Sequence, residues 1–162
     1  MSVRRLASAL LPFAVALMAG CATTQAGPEK IADTAAHTAQ LSTLNRLLNE
    51  AGMADTLRGD GPYTLFAPSD DAFKALPPAT LQALQADKAK LKAVLGYHVV
   101  PGRMAAGDIR GGKAKTAEGS EITLATAGTF VTVEDAIVTQ ADVPATNGVV
   151  HVIDRVLMPP KK

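Results

Sequence analysis

The sequence predicts an α+β domain, with helices in its first half and an antiparallel sheet system in its second. Three observations carry this. Leu41, Leu44, Leu47 and Leu48 recur at spacings of three and four, the period of one helical face. After Val99 the chain breaks into short runs rich in Val, Ile and Thr, punctuated by Gly and Asp. Neither half alternates strand with helix, as a parallel βαβ sheet would require.

Each element follows in order. The leucine stripe lies in "LSTLNRLLNEAGM", and Gly52 is placed to end that helix. "RGDGPY" is a turn built from Gly and Pro. "YTLFAP" reads as a short strand closed by Pro68. Ser69 is an N-cap, and Asp70 and Asp71 fall in the first turn, where the helix dipole favours negative charge. That helix passes Phe73 and Leu76 and stops at Pro77-Pro78. "ATLQALQADKAKLKAVLGYH" reads as two further helices with Leu81, Leu84, Leu91, Val94 and Leu95 apolar. "EITLAT", "TFVTV", "AIVTQADV" and "VVHVIDRVL" are the later strands, and Asn147-Gly148 is the strongest hairpin signal. In the last strand Val150, Val152 and Val156 suit one buried face, and Asp154 and Arg155 suit an ion pair or a backbone hydrogen bond.

At 162 residues, 48% of them hydrophobic, the chain has the length and the apolar content for one domain. Aromatic residues are 4% and Trp is absent, so aliphatic side chains must build the core. The formal charge is +1, with no basic stripe to meet nucleic acid.

Residues 1–21 have the layout of a secretory signal peptide: Arg4 and Arg5, an apolar run from Leu6 to Ala19, then small residues. The run is too short for a comfortable membrane span. Removing Arg4 and Arg5 lowers the 16 basic residues to 14, against 15 acidic ones. The only cysteine, Cys21, ends this leader, and "LMAGC" resembles a bacterial lipobox, which implies lipidation there. Ala22 follows it, the pattern that goes with outer-membrane rather than inner-membrane residence in Gram-negative lipoproteins. The expectation is an exported protein on the periplasmic or outer-membrane side, lipid-anchored through Cys21, or secreted if it is not lipidated. Residues 22–33, "ATTQAGPEKIAD", read as a flexible tether, and residues 34–160 as the domain.

"YTLFAPSDDAF" (63–73), "GYHVVPG" (96–102) and "TNGVVHVIDRVLMPP" (146–160) resemble, in order and separation, three motifs of the fasciclin (FAS1) domain family. The resemblance implies the FAS1 fold: a wedge-shaped, seven-stranded β-sandwich with helices packed on it. It implies structural motif positions at Thr64, Phe66, Pro68, Asp70, Phe73, Asn147, Gly148, His151 and Asp154. It also implies a non-catalytic adhesion or interaction module without a cofactor, whose partner is a protein or polysaccharide at the cell surface. A periplasmic small-molecule or glycan binder is the alternative. In animal relatives the segments matching Tyr97-His98 and Asp108-Ile109 are implicated in integrin adhesion.

Several residues invite chemistry. His151 and Asp154 form an H-x-x-D pair, but on a strand they point to opposite faces and cannot share a metal. "GDIRGGKA" (107–114) has P-loop spacing, yet Ala114 replaces the Mg²⁺-binding hydroxyl and no helix is expected after it. Neither a G-x-S-x-G elbow nor an H-E-x-x-H pair is present, so the expectation is no catalytic and no metal site. Arg58-Gly59-Asp60 is a tripeptide that integrins read, here in a turn where it makes the bend. Tyr97-His98 sits where a helix meets a strand. His98 there is expected to donate from one ring nitrogen and accept on the other, which holds the crossover.

Overall fold

The computed structural model describes residues 29–160. The expected signal peptide, Cys21 and residues 22–28 of the expected tether lie outside the described residues.

Helix α1 (Ile31–His37) opens the chain, and its Ile31, Ala32 and Ala35 are buried. Residues 29–33 are therefore part of the domain rather than the end of a tether. The reason is the apolar Ile31, which is fully buried while its N–H donates to Asn147 Oδ1 at 2.8 Å. A 3₁₀ turn, Ala39–Leu41, leads to α2 (Ser42–Glu50), which buries Leu44, Leu47 and Leu48 on one side. Gly52, at φ 68°, ends it in the left-handed region that favours glycine. The short α3 (Ala54–Leu57) follows, then β1 (Tyr63–Pro68).

Helix α4 (Asp70–Lys74) is capped by Ser69, whose Oγ accepts from the Ala72 N–H at 3.3 Å. Asp70 reaches back to α2: it accepts from the Thr43 N–H at 2.8 Å and from Ser42 Oγ at 2.7 Å. It thus satisfies a free donor at the start of another helix. Burial raises the Asp70 pKa, but the hydrogen bonds from Thr43 and Ser42 together outweigh it, and the net shift is downward. Helices α5 (Pro78–Ala86) and α6 (Lys88–Tyr97) are the two expected pieces, divided at Asp87, whose carboxylate caps α6.

The remaining strands are β2 (Val99–Pro101), β3 (Gly112–Lys115), β4 (Glu121–Ala127), β5 (Phe130–Val133), β6 (Ala136–Ala145) and β7 (Gly148–Ile153). Their order is β2-β1-β7-β6-β5-β4-β3. The sheet curls until its two edge strands approach each other, so it is nearly closed. It is mixed rather than antiparallel, because β1 pairs with β7 in parallel, Tyr63 opposite Gly148 through Pro68 opposite Ile153. The long connection between these strands, which holds three helices and the other five strands, permits that pairing.

Every residue of β7 is buried, and so are all of β1 after Tyr63. One face of the pair presents Leu65, Ala67, Val150 and Val152 to the leucines of α2 and to Leu91 and Leu95 of α6. The other face presents Phe66 and Ile153 to the inside of the curled sheet, with Ile122, Leu124, Val131 and Val133. β7 ends at Ile153, three residues before Val156, which is only half-buried. The chain bends at Asp154, whose Oδ1 accepts from the Ile137 N–H at 2.7 Å while its own N–H donates to the Ile137 carbonyl at 3.1 Å. These bonds close the end of the β6–β7 ladder.

Candidate functional site

Tyr97 and His98 sit at the C-terminus of α6 and differ in role. His98 is fully buried. Its Nδ1–H donates to the Val94 carbonyl at 2.7 Å, and its Nε2 accepts from the Leu157 N–H at 2.9 Å. The ring therefore ties α6 to the segment after β7, 59 residues downstream, rather than to the helix-to-strand crossover alone. The contact from Leu157 requires the neutral ring, because protonated Nε2 cannot accept, and burial lowers the ring's pKa from 6.5 to about 4, against the bond to Val94, which raises it. Tyr97 packs into the sheet interior and its hydroxyl donates to the Glu121 carbonyl at 3.2 Å. Burial first, then Glu134 and Glu118, push its pKa up. It lines a cavity of about 260 Å³ together with Glu134, Arg155 and Met158.

A second polar group lies on the inner face of β1 and β7. Thr64 Oγ1 donates to the Gly102 carbonyl at 2.7 Å and accepts from the Met104 N–H at 2.9 Å. His151, fully buried, stacks on Phe66 with ring centroids 5.5 Å apart. Its Nδ1 accepts from the Asp142 N–H at 3.2 Å, which leaves Nε2–H to donate to the Met104 carbonyl at 2.8 Å. Its tautomer is thus the opposite of that of His98. Asp142, held at φ 56° in the irregular part of β6, accepts from the Ala106 N–H at 2.8 Å. Thr64, His151 and Asp142 together fix residues 102–106, and so the Asp108-Ile109 pair just beyond. Asp108 is exposed at the end of a 3₁₀ turn, while Ile109 is buried in the inner core and is an anchor.

Asn147 joins the helices to the sheet. Its side chain accepts from the Ile31 N–H and donates to the carbonyls of Leu57 (2.6 Å) and Gly59 (2.8 Å). The expected Asn-Gly turn is displaced by one residue: Ala145 pairs with Gly148, so the loop is Thr146-Asn147 and Gly148 begins the strand. Gly148 is required there because a Cβ would come within 1.8 Å of the Tyr63 carbonyl oxygen. The Arg58-Gly59-Asp60 turn is held from behind, with Arg58 paired to Asp33 at 3.0 Å and to Asp55 at 3.4 Å. Its hydrogen bond to Asp33, then the charge of Asp33, raise the Arg58 pKa.

These groups hold backbone and do not converge on a reactant. His151 and Asp154 do not meet, since each is committed to a different part of β6. The 107–114 stretch runs from a 3₁₀ turn into β3, so no helix N-terminus faces it. Among the described residues no group of three or more His, Cys, Asp or Glu is arranged to hold a metal ion, and no buried side-chain polar atom lacks a partner. No helix among them is long and apolar enough to cross a membrane. Asp142 escaped the sequence reading because nothing local distinguishes it from a surface aspartate.

Residues 39–159 match the family model of the Fasciclin domain. The chain is 41% identical over 132 residues to the protein sll1483 of Synechocystis, covering 80% of this chain and 73% of that protein. It is 36% identical to the cell surface glycolipoprotein MPB83 of Mycobacterium bovis, covering 82% of this chain and 61% of that protein. It is 37% identical to the transforming growth factor-beta-induced protein ig-h3 of Sus scrofa, covering 75% of this chain and 18% of that protein. Among solved structures, the FAS1 domain pair of the insect cell adhesion molecule fasciclin I superposes with a TM-score of 0.62 at 26% identity. That match covers 76% of this chain and 46% of the insect chain.

Proposed function

Since the chain belongs to the fasciclin domain family, we propose that it is a non-catalytic adhesion or interaction module of the cell envelope. The observation that carries this is the likeness, across nearly the whole described domain, to surface proteins, including a cell adhesion molecule and a cell surface glycolipoprotein. The commitment of both buried histidines to backbone partners supports it, because neither is free to move a proton to or from a ligand. The partner is a protein or polysaccharide at the surface, and one small domain engages it weakly, so many copies act together. The module is exported and held at the membrane by a lipid on Cys21, a reading that rests on the order of charges, apolar run and small residues in 1–21.

The protein is used as bait against a cross-linked envelope fraction, with the His98→Ala variant as the unfolding-prone control. Specific capture by the wild type supports adhesion, and none overturns it. Metabolic labelling with a palmitate analogue addresses the anchor separately: label that disappears in Cys21→Ala supports it, and an unlabelled wild type removes it.

A further inference from the structure

The chain beyond β7 is fastened at few points. Asp154 is fixed to Ile137 by the two bonds that close the β6–β7 ladder. Past it, residues 155–160 belong to no helix or strand. Among the described residues this segment makes one hydrogen bond and no ion pair: the Leu157 N–H donates to His98 Nε2 at 2.9 Å. Arg155 and Val156 border two cavities, the one of about 260 Å³ toward the β5–β6 turn and another of about 360 Å³ toward α4. Arg155 and Met158 are exposed and Val156 is half-buried, so Leu157 is the one buried side chain of the segment. The attachment is therefore concentrated at Leu157, with its side chain in the inner core and its N–H on His98.

That acceptor is a base. His98 Nδ1 carries the proton it gives to the Val94 carbonyl, so a second proton goes onto Nε2 and sets N–H against N–H. No charged side chain buffers the change. β1 and β2 carry none, and His151 of β7 is committed to Asp142 and Met104. Lys88, Lys90 and Lys92 of α6 are exposed. Asp154 and Arg155 flank the segment, and Glu134 and Asp135 line the smaller cavity, yet only burial and the Val94 bond move the ring's titration.

We propose that residues 155–160 are an acid-released strap: a proton from solvent on His98 Nε2 frees the Leu157 N–H, and the segment lifts away beyond Asp154 while the sheet and helices stay folded. The bonds between Asp154 and Ile137 do not involve the ring, so they hold the hinge. Lifting Leu157 off Nε2 also gives the imidazolium access to water, which removes the burial that opposed its charge.

Amide exchange of the full-length chain at pH 7, 6 and 5, resolved by residue and corrected for intrinsic rates, tests this. Leu157 loses protection about tenfold between pH 6 and 5, the linkage of one proton. Low urea leaves its exchange unchanged, whereas Val150 and Val152 of β7 stay more protected and accelerate in urea, as groups opened only by global unfolding do. His98→Gln offers an acceptor that does not titrate, and its Leu157 protection is the same at all three pH values. Protection at Leu157 that is flat with pH in the wild type overturns the proposal. So does exchange at Leu157 that follows Val152 in urea, because the segment then opens only with the whole domain. A pH slope that persists in a folded His98→Gln assigns the release to another group and overturns it too. If His98→Gln does not fold, the pH and urea dependence of the wild type decides.

Discussion

The two sides of the β1–β7 pair are equally buried and built from different chemistry. The side under the helices is aliphatic: Leu65, Ala67, Val150 and Val152 meet the leucines of α2 and α6. The side inside the curled sheet carries Thr64, Phe66, His151 and Ile153. The helix side is held by apolar area, which is non-directional and tolerates small shifts. The inner side adds directed hydrogen bonds that fix the 102–106 loop and with it Asp108-Ile109. One layer gives stability, and the other gives position to surface segments.

The largest effect expected is on the helix side. Leu48→Ala costs about 2–5 kcal/mol in urea denaturation, from lost burial and the cavity left behind, while amide exchange of 102–109 measured under native conditions keeps its relative order. A selective loosening of that loop in Leu48→Ala would break the division between the layers.

Acidification comes next and acts through His98, which ties α6 to Leu157. Its folded pKa of about 4 lies below the unfolded 6.5. The unfolded chain therefore takes up a proton that the folded chain refuses, and stability falls as pH drops through 6.5. The loss is about 1.4 kcal/mol per pH unit and stops growing near pH 4. Asp70, whose pKa is lowered, adds its own loss only below its ordinary carboxylate value, so the two windows separate. Denaturation curves at pH 7, 6, 5 and 4 check this, and a flat profile between 6.5 and 4 would remove His98 from the account.

His98→Ala itself costs about 1–3 kcal/mol at neutral pH, because the Val94 carbonyl and Leu157 N–H are left unpaired in the interior, and it removes that pH slope. Unchanged thermal stability would overturn the bridging role. Thr64→Val is the smallest, about 1 kcal/mol in global stability. Its main readout is faster exchange at Met104 and its neighbours, and an unaltered exchange pattern would deny the inner layer its positioning role.

The sequence showed the helix side far better than the inner side. The leucine stripe and the Ser69 cap are local patterns with a fixed period or offset, and α2 and the start of α4 formed where those patterns put them, though α4 ends at Lys74, before Leu76. The β-type runs after Val99 likewise gave β4 to β7 to within a few residues, while β3, made of Gly112–Lys115, carries no β-branched residue and had no such signal. The parallel pairing of β1 with β7 had no such signal, because the partners lie about 85 residues apart in the chain. The contacts of Asn147 to Ile31, Leu57 and Gly59 span 116, 90 and 88 residues, and the residue's local signature pointed only to a turn. In "TFVTV" the apolar Phe130 and Val131 are neighbours and must point to opposite faces, so the pattern did not mark Phe130 as the exposed one. The motif resemblance supplied the fold at long range, where periodicity ended at helices followed by strands.

The Asn147 clasp has a mechanical consequence. Among the described residues, the N-terminal end is fastened to the sheet as well as to α1. There the Glu29 carbonyl accepts from the Thr146 N–H, and the Ile31 N–H is fixed to Asn147, one residue before β7 begins. Tension applied there therefore reaches β7, an interior strand of the sheet, instead of peeling α1 away. Because β7 lies parallel to β1, a force along it loads their hydrogen bonds together in shear, rather than unzipping them one at a time.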